Sequence, residues 1–349
     1  MRTLRPKTPT RRNSRVSMTD QSLLSGYDAV FSDLDGVVYA GPHAIPGAVE
    51  ALDRIAGSSI RLAYITNNAS RSSETVAEHL RELGAPATAA NVFGSAQAGA
   101  ELLASHVAAG AKVLVTGSAT LRAAVEAQGL VCVESADEEP DAVIQGFDPS
   151  LGWKDLAEAA FAVGRGALWV ATNTDMSIPQ ARGIAPGNGT LVAAVGAATG
   201  RIPLVAGKPE APLFTTAARH LGVTRPVVVG DRLDTDILGG TNAGYDTVLV
   251  LTGVDTPLTA LAARTPERPV YIIADLSALF EPYPLPVRNG DRYMCGAASA
   301  WVEDSTVVIA GDSSDLDSWR AACAAWWAAY PDADTAQTPG IRWTVTPRG

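Results

Sequence analysis

From residue 28 onward the chain alternates short, β-rich apolar runs with helical stretches that stop at glycine, and this alternation limits the fold more than any other feature. "DAVFSD" has the continuous apolar character of a buried strand, and "GAVEALDRIAG" behind it has the spacing of a helix ended by Gly57. "IRLAYIT" and "SSETVAEHLRELG", closed by Gly84, repeat the unit. Further along come "EAPLFTTAARHLG", "RPVVVGD", "DTDILGGTNAG" and "DTVLVLTG", again helix, strand, helix, strand. Strands that each lead into a helix must be joined by crossovers, so the sheet is parallel and the class is α/β.

Between about 98 and 203 the alternation restarts, with "AKVLVTG", "GLVCVES", "DAVIQGF" and "ALWVATN" as strands and helices near 119–128 and 154–163. The chemistry below needs residues from both sides of this block to meet, which favours an inserted domain over one larger sheet. The expected organisation is a doubly wound, mostly parallel Rossmann-like core from 26–97 and 203–285, an inserted α/β cap at 98–202, and a small α+β module at 286–349. That last module follows the proline-rich "FEPYPLPVRNG" and holds five of the seven tryptophans. Leu316, Trp319, Cys323, Trp326, Trp327 and Tyr330 fall on one helical stripe, preceded by a hairpin and followed by the strand-like "IRWTVT". This reads as a packed structural unit. A coenzyme-A-binding transferase would need a glycine-rich loop opening that helix, and there is none.

Charge narrows the partners. The five Arg and one Lys of residues 1–17, taken from a net −10, leave −16 on the rest, which disfavours nucleic acid. Residues 1–25 are expected to be a basic, flexible leader. Arg11-Arg12 lacks the apolar run of an export signal, and no stretch reaches eighteen apolar residues, so no membrane span is expected. Cys132, Cys295 and Cys323 are far apart and outside any CxxC pair, which suits reduced, packed thiols in the cytoplasm. The sequence leaves a homo-oligomer open.

Four polar elements stand at strand ends or helix starts: Asp33-Leu34-Asp35-Gly36, Thr66-Asn67-Asn68, Lys208 ahead of Pro209, and "GDRLDTDI" with Asp231, Asp234 and Asp236. In open α/β sheets ligands bind beyond the carboxyl ends of the strands. Each piece alone has an ordinary reading as a turn, a surface lysine or an acidic first helical turn. Together they describe one site. Asp33, Asp35 and Asp231 are hard oxygen donors suited to Mg²⁺, while the Thr66 hydroxyl, the backbone N–H groups around Asn67 and the Lys208 cation would cradle a phosphate. Asp33 and Asp35 repel each other unless such cations offset the charge.

In this order, "DLDGVVYAG", "ITNNAS", "AGKP" and "GDRLDTDI" resemble the motifs of the haloacid dehalogenase superfamily of aspartate-nucleophile phosphatases. The resemblance covers about residues 26–285 and is nearest to the branch of nitrophenyl-phosphate, phosphoglycolate and nucleotide phosphatases. Within it, the chain looks most like members that act on glycerol 3-phosphate and carry a C-terminal extension. It implies that Asp33 attacks phosphorus to form an aspartyl phosphate, and that Asp35 serves as general acid and then base. It further implies Mg²⁺ on Asp33, the Asp35 carbonyl and Asp231, with Asp236 orienting Lys208 or the metal's waters, and phosphoryl oxygens on Thr66, Asn67 and Lys208. A small phosphate monoester is then the substrate, with glycerol 3-phosphate ahead of phosphoglycolate, pyridoxal phosphate and nucleoside monophosphates. A non-catalytic regulatory protein on the same fold is the rival, disfavoured by retention of all four elements. Specificity is expected from the cap, whose loops "GFDPSLGW" and "ATNTDMSIPQARGIAPGNG" offer Asn173, Asp175 and Arg182 as substrate contacts.

Overall fold

The computed structural model describes residues 21–180 and 182–344. Its central sheet has six strands in the order Tyr271–Ile273, Asp246–Val250, Pro226–Gly230, Ala29–Ser32, Arg61–Thr66, Val92–Gly94, every neighbouring pair parallel. Chain order therefore runs outward in both directions from Ala29–Ser32. This is the topological switch point, where two diverging crossovers open a crevice, and Asp33 is the residue that leaves the strand there. All four residues of Ala29–Ser32 are buried, as a parallel strand covered on both faces requires. Val30, Tyr64, Val227 and Val229 pack on one face with Leu52, Ile55 and Leu80. Phe31, Ala63, Ile65 and Val228 pack on the other with Leu213 and Phe214.

The covering helices begin and end as their sequences dictate. Ser72 caps Ser73–Glu82 by accepting from the Thr75 N–H at 3.1 Å. Pro212–Leu221 has proline in its first turn and Gly222 in the left-handed conformation behind it, at φ 65°.

A second parallel sheet, of five strands, is ordered Leu204–Val205, Leu168–Ala171, Ala142–Gln145, Lys112–Thr116, Val131–Val133. Leu204 and Val205, expected in the core from residue 203, pair with Val170 and Ala171 and close the edge of this cap sheet instead. Two residues of edge strand are too short to announce themselves in sequence. The stretch 177–186, expected as loop, forms an antiparallel hairpin, Ser177–Gln180 with Gly183–Pro186.

The C-terminal module is a five-stranded sheet in sequence order, antiparallel except for Gly340–Thr344, which runs parallel to Thr306–Ala310. The helix Leu316–Ala329 packs against it. It also packs on the half that carries the six-stranded sheet: Leu233, Leu249, Leu261 and Ile272 share one apolar cluster with Val307, Ile309, Cys323 and Trp326. Trp327 Nε1 donates to the Leu261 carbonyl at 3.3 Å, and Arg268 to that of Tyr330 at 2.7 Å. The start of this helix carries Asp315, its capping residue, and Asp317, an anionic surface unsuited to a pyrophosphate.

The leader expectation changes at its end. Leu23 and Leu24 are buried, and the Leu23 N–H donates to the Glu281 carbonyl at 2.8 Å, so this turn belongs to the core. Residues 1–20 lie outside the described residues. Cys295 and Cys323 are buried and Cys132 is half-buried, all three free, and burial pushes the Cys295 thiol up to about 12. No helix among the described residues is long and apolar enough to cross a membrane.

Candidate active site

Asp33 continues the first strand by donating its N–H to the Val229 carbonyl at 2.9 Å, which aims its side chain into the crevice. There Lys208 Nζ donates to Asp33 Oδ1 at 2.5 Å and to Asp236 Oδ1 at 2.7 Å. Lys208, Asp231 and Asp236 are buried, at 5%, 2% and 1% exposure, so these ions have almost no water to fall back on. Asp236 is delivered by a π-helical turn, Leu233–Ile237, and its second oxygen accepts from the Arg232 N–H at 3.2 Å. Asp234 turns the other way and is held by the Arg232 guanidinium at 3.0 and 2.8 Å.

Asp231 is packed between two turns that leave no room for side chains. A Cβ at Gly36, where φ is +79°, or at Gly253 would run into its carboxylate. Its Oδ2 accepts from the Val254 N–H at 2.7 Å. Oxygens of Asp33, Asp231 and Asp236 lie within 4.8 Å of one another. Three carboxylates thus face a single ammonium. Burial pushes the Asp236 carboxyl up to about 7, with Asp33 adding to it, and Asp231 up to about 6, with Asp236 adding to it. Asp33 is raised as well, by burial that Lys208 only partly offsets. Burial works against the charge of Lys208, but Asp236 and Asp33 outweigh it and hold the ammonium protonated. A compact group of hard oxygens with surplus negative charge fits a divalent cation of the Mg²⁺ kind.

Asp35 stands at the crevice mouth. Partial removal from water raises its carboxyl, against the pull of Lys208. The Tyr39 hydroxyl donates to Asp35 Oδ2 at 3.4 Å, and the Tyr39 ring meets His79 edge-on, centroids 5.3 Å apart. Sequence reasoning missed Tyr39, which only the small hairpin Tyr39–Ala40 with His43–Ala44 turns back toward Asp35. It also missed the loop Thr252–Val254, although "LTG" at the end of an adjacent parallel strand was a signal that this loop reaches the same crevice.

Thr66 ends its strand with Oγ1 accepting from the Asn68 N–H at 3.2 Å. The Asn67 side chain is committed elsewhere than to a ligand. Its Oδ1 accepts from the Lys208 N–H at 2.7 Å, and its Nδ2 donates to the Lys208 carbonyl at 3.0 Å. Of the three cap candidates, two come to this loop. Asn173 donates to the Asn67 carbonyl at 2.7 Å, and Asp175 accepts from Asn67 Nδ2 at 3.1 and 3.2 Å. Arg182 stands exposed at the hairpin turn, outside that group.

Comparison with known proteins agrees with this geometry. A family model described as haloacid dehalogenase-like hydrolase matches residues 30–131, and a HAD-hydrolase-like model matches 205–279. The chain is 46% identical over 261 residues to the D-glycerol 3-phosphate phosphatase of Mycobacterium tuberculosis, covering 75% of this chain and 73% of that protein. It is 38% identical to the acid sugar phosphatase of Staphylococcus aureus, over 72% of this chain and 96% of the relative. The crystal structure of the glycerol phosphate phosphatase of Mycobacterium tuberculosis in complex with calcium superposes with a TM-score of 0.84 at 41% identity, covering 93% of this chain and 95% of that one. The corresponding magnesium complex gives 0.83. With a family model on each half of its catalytic sheet and a 46% identical relative along most of its length, the chain belongs to the haloacid dehalogenase-like hydrolases.

Proposed function

We propose that the protein is a Mg²⁺-dependent phosphatase of small phosphate monoesters, with glycerol 3-phosphate as its substrate and an aspartyl phosphate as its intermediate. The observation that carries this reading is the buried Asp33–Lys208–Asp236 chain beside Asp231 at the switch point of the sheet. Asp33 attacks phosphorus with one carboxylate oxygen as the bond to the leaving oxygen breaks, and Asp35 supplies the proton that oxygen needs. The raised Asp35 carboxyl favours the protonated form required for this step. Water then attacks phosphorus, giving its proton to Asp35 and displacing phosphate from Asp33. Lys208 holds phosphoryl oxygens with the Thr66 hydroxyl and the backbone N–H groups beside Asn67, and Asp236 fixes Lys208 in place. Asp33, the Asp35 carbonyl and Asp231 would hold Mg²⁺, which when bound would supply positive charge beside the phosphoryl group.

The 98–205 block acts as the cap over the leaving group, and cytoplasmic work suits the three free thiols. The substrate rests on the likeness to the D-glycerol 3-phosphate and acid sugar phosphatases, and on cap loops rich in hydroxyl- and amide-bearing residues. The test is a phosphate-release screen at saturating Mg²⁺. Glycerol 3-phosphate should exceed pyridoxal phosphate, phosphoglycolate and nucleoside monophosphates in kcat/KM by at least about tenfold, one buried hydroxyl contact's worth. If one of those esters wins, the substrate assignment falls and the phosphatase assignment stands.

A further inference from the structure

Polar contacts between cap and core converge on one short loop. The Asn67 carbonyl accepts from Asn173 Nδ2 of the cap at 2.7 Å, and within the core from Ser95 Oγ at 2.5 Å. Beside it, Ser118 and Thr120 of the cap donate to the carbonyls of Ala69 and Ser70, at 2.9 and 3.1 Å. The Asn67 amide then connects both sides. It grips the main chain of Lys208 from two directions, using its oxygen and one of its two amide hydrogens. The other amide hydrogen is left for the two Asp175 oxygens, at 3.1 and 3.2 Å. Gly207 makes the approach close enough, because a Cβ there would sit 2.6 Å from both Asn67 Oδ1 and the Thr172 carbonyl. Asp175 is itself fixed: its N–H donates to Asn173 Oδ1 at 3.2 Å, and its carbonyl accepts from the Gly189 N–H at 2.9 Å.

We propose that Asp175 is a positioning residue that ties the cap hairpin, through Asn67, to the main chain of Lys208, so that closing the cap and setting the phosphate-holding lysine are one event. Its carboxylate serves the phosphate end of every substrate and does not read the leaving group. This replaces the expectation that Asp175 contacts substrate. It also explains why a polar, otherwise ordinary loop residue is directed at Asn67 and not at the open crevice. A charge-assisted hydrogen bond lost from such a clamp removes on the order of tenfold in the population of the correctly set site.

The proposal rests on the phosphatase reading, and the experiment separates the two. kcat/KM is measured for wild type, Asp175→Ala and Asp175→Asn with glycerol 3-phosphate and with p-nitrophenyl phosphate, an aryl ester lacking hydroxyls. Melting temperatures are recorded alongside. Asp175→Ala should lose about tenfold on both esters. Asp175→Asn, which keeps an acceptor for the Asn67 hydrogen, should recover most of that loss. Should Asp175→Ala melt early, Asp175→Glu takes its place, since it misplaces the acceptor while keeping the charge, and the same loss on both esters is expected. A loss confined to glycerol 3-phosphate would make Asp175 a substrate contact and overturn the proposal. So would unchanged activity on both esters. Wild type inactive on both would defeat the phosphatase reading, and the latch with it.

Discussion

The molecule contains two parallel sheets of similar build, and they bury different chemistry at their carboxyl ends. The catalytic sheet ends in Asp33, Thr66 and Asp231, and the buried residues of the crevice include Lys208, Asp231 and Asp236, all ionisable. The cap sheet ends in Thr116, Gln145 and Thr172, and the buried polar side chains of the cap, which also include Ser118, Asn173 and Asn188, are all neutral. A buried charge must be met by an opposite charge at a fixed distance, or the fold suffers by several kcal/mol. The catalytic sheet meets that demand with Lys208 between two carboxylates. A buried neutral amide costs only about 1–3 kcal/mol when unpaired. In the cap, both amide atoms of Gln145, Thr172 Oγ1, Asn188 Oδ1 and Trp169 Nε1 have no protein partner among the described residues. The same architecture thus buries a paired, charged group of side chains in one sheet and a neutral group in the other.

The contrast can be broken most directly at Asp33, the proposed nucleophile. Asp33→Asn should leave the protein folded, by circular dichroism, while turnover falls by at least on the order of 10⁴, as for removal of other covalent nucleophiles. Appreciable phosphate release by the folded variant would refute covalent catalysis. The next effect is on stability. Lys208→Met strands Asp33 and Asp236 without their cation and should cost about 3–5 kcal/mol at pH 7.5, read by urea denaturation. Carboxyls raised in the folded state, as Asp236 is to about 7, take up protons there before the unfolded chain does. Without the ammonium these carboxyls rise further, so the variant takes up protons at a higher pH than the wild type, and the deficit should shrink as the pH falls toward 7 and then level off. An equal deficit at about pH 9 and about pH 6 would mean that the carboxylates are not the cause. The smallest effect belongs to the cap. Gln145→Met keeps the length of the side chain and removes two unpaired polar atoms, so stability should stay level or rise by about 1 kcal/mol. A loss of that size instead would show that Gln145 has a firm partner, and the two sheets would differ less than described.

Sequence reading went furthest where the physics is local. The strand at 29–32, the helix at 73–82 and the stripe from Leu316 to Tyr330 follow from apolar period and punctuation, and they stand where expected except that the last helix ends at Ala329, one residue before Tyr330. Asp33 and Asp231 stand where strands of one parallel sheet end, as their spacing implies, whereas Lys208 lies in a turn ahead of the helix Pro212–Leu221 and not at its start. What was not legible depends on segments far apart in sequence. Leu204–Val205 joins the cap only because Val170 and Ala171 offer an open edge. Leu23 is core only because Glu281 lies opposite it. Asn67 could be assigned to the phosphate loop from its neighbours, but its side chain's grip on Lys208 spans 141 residues and leaves no trace in local spacing.

The apolar cluster that joins Leu249, Leu261 and Ile272 to Cys323 and Trp326 has a consequence for how the chain is made. As synthesis proceeds from the N-terminus, every motif of the catalytic crevice is present before the helix Leu316–Ala329 exists. Until that helix arrives, one flank of the catalytic half offers a greasy surface, the kind that chaperones and proteases recognise. The tryptophan-rich helix thus covers an apolar flank that stays open to solvent until that helix has been made.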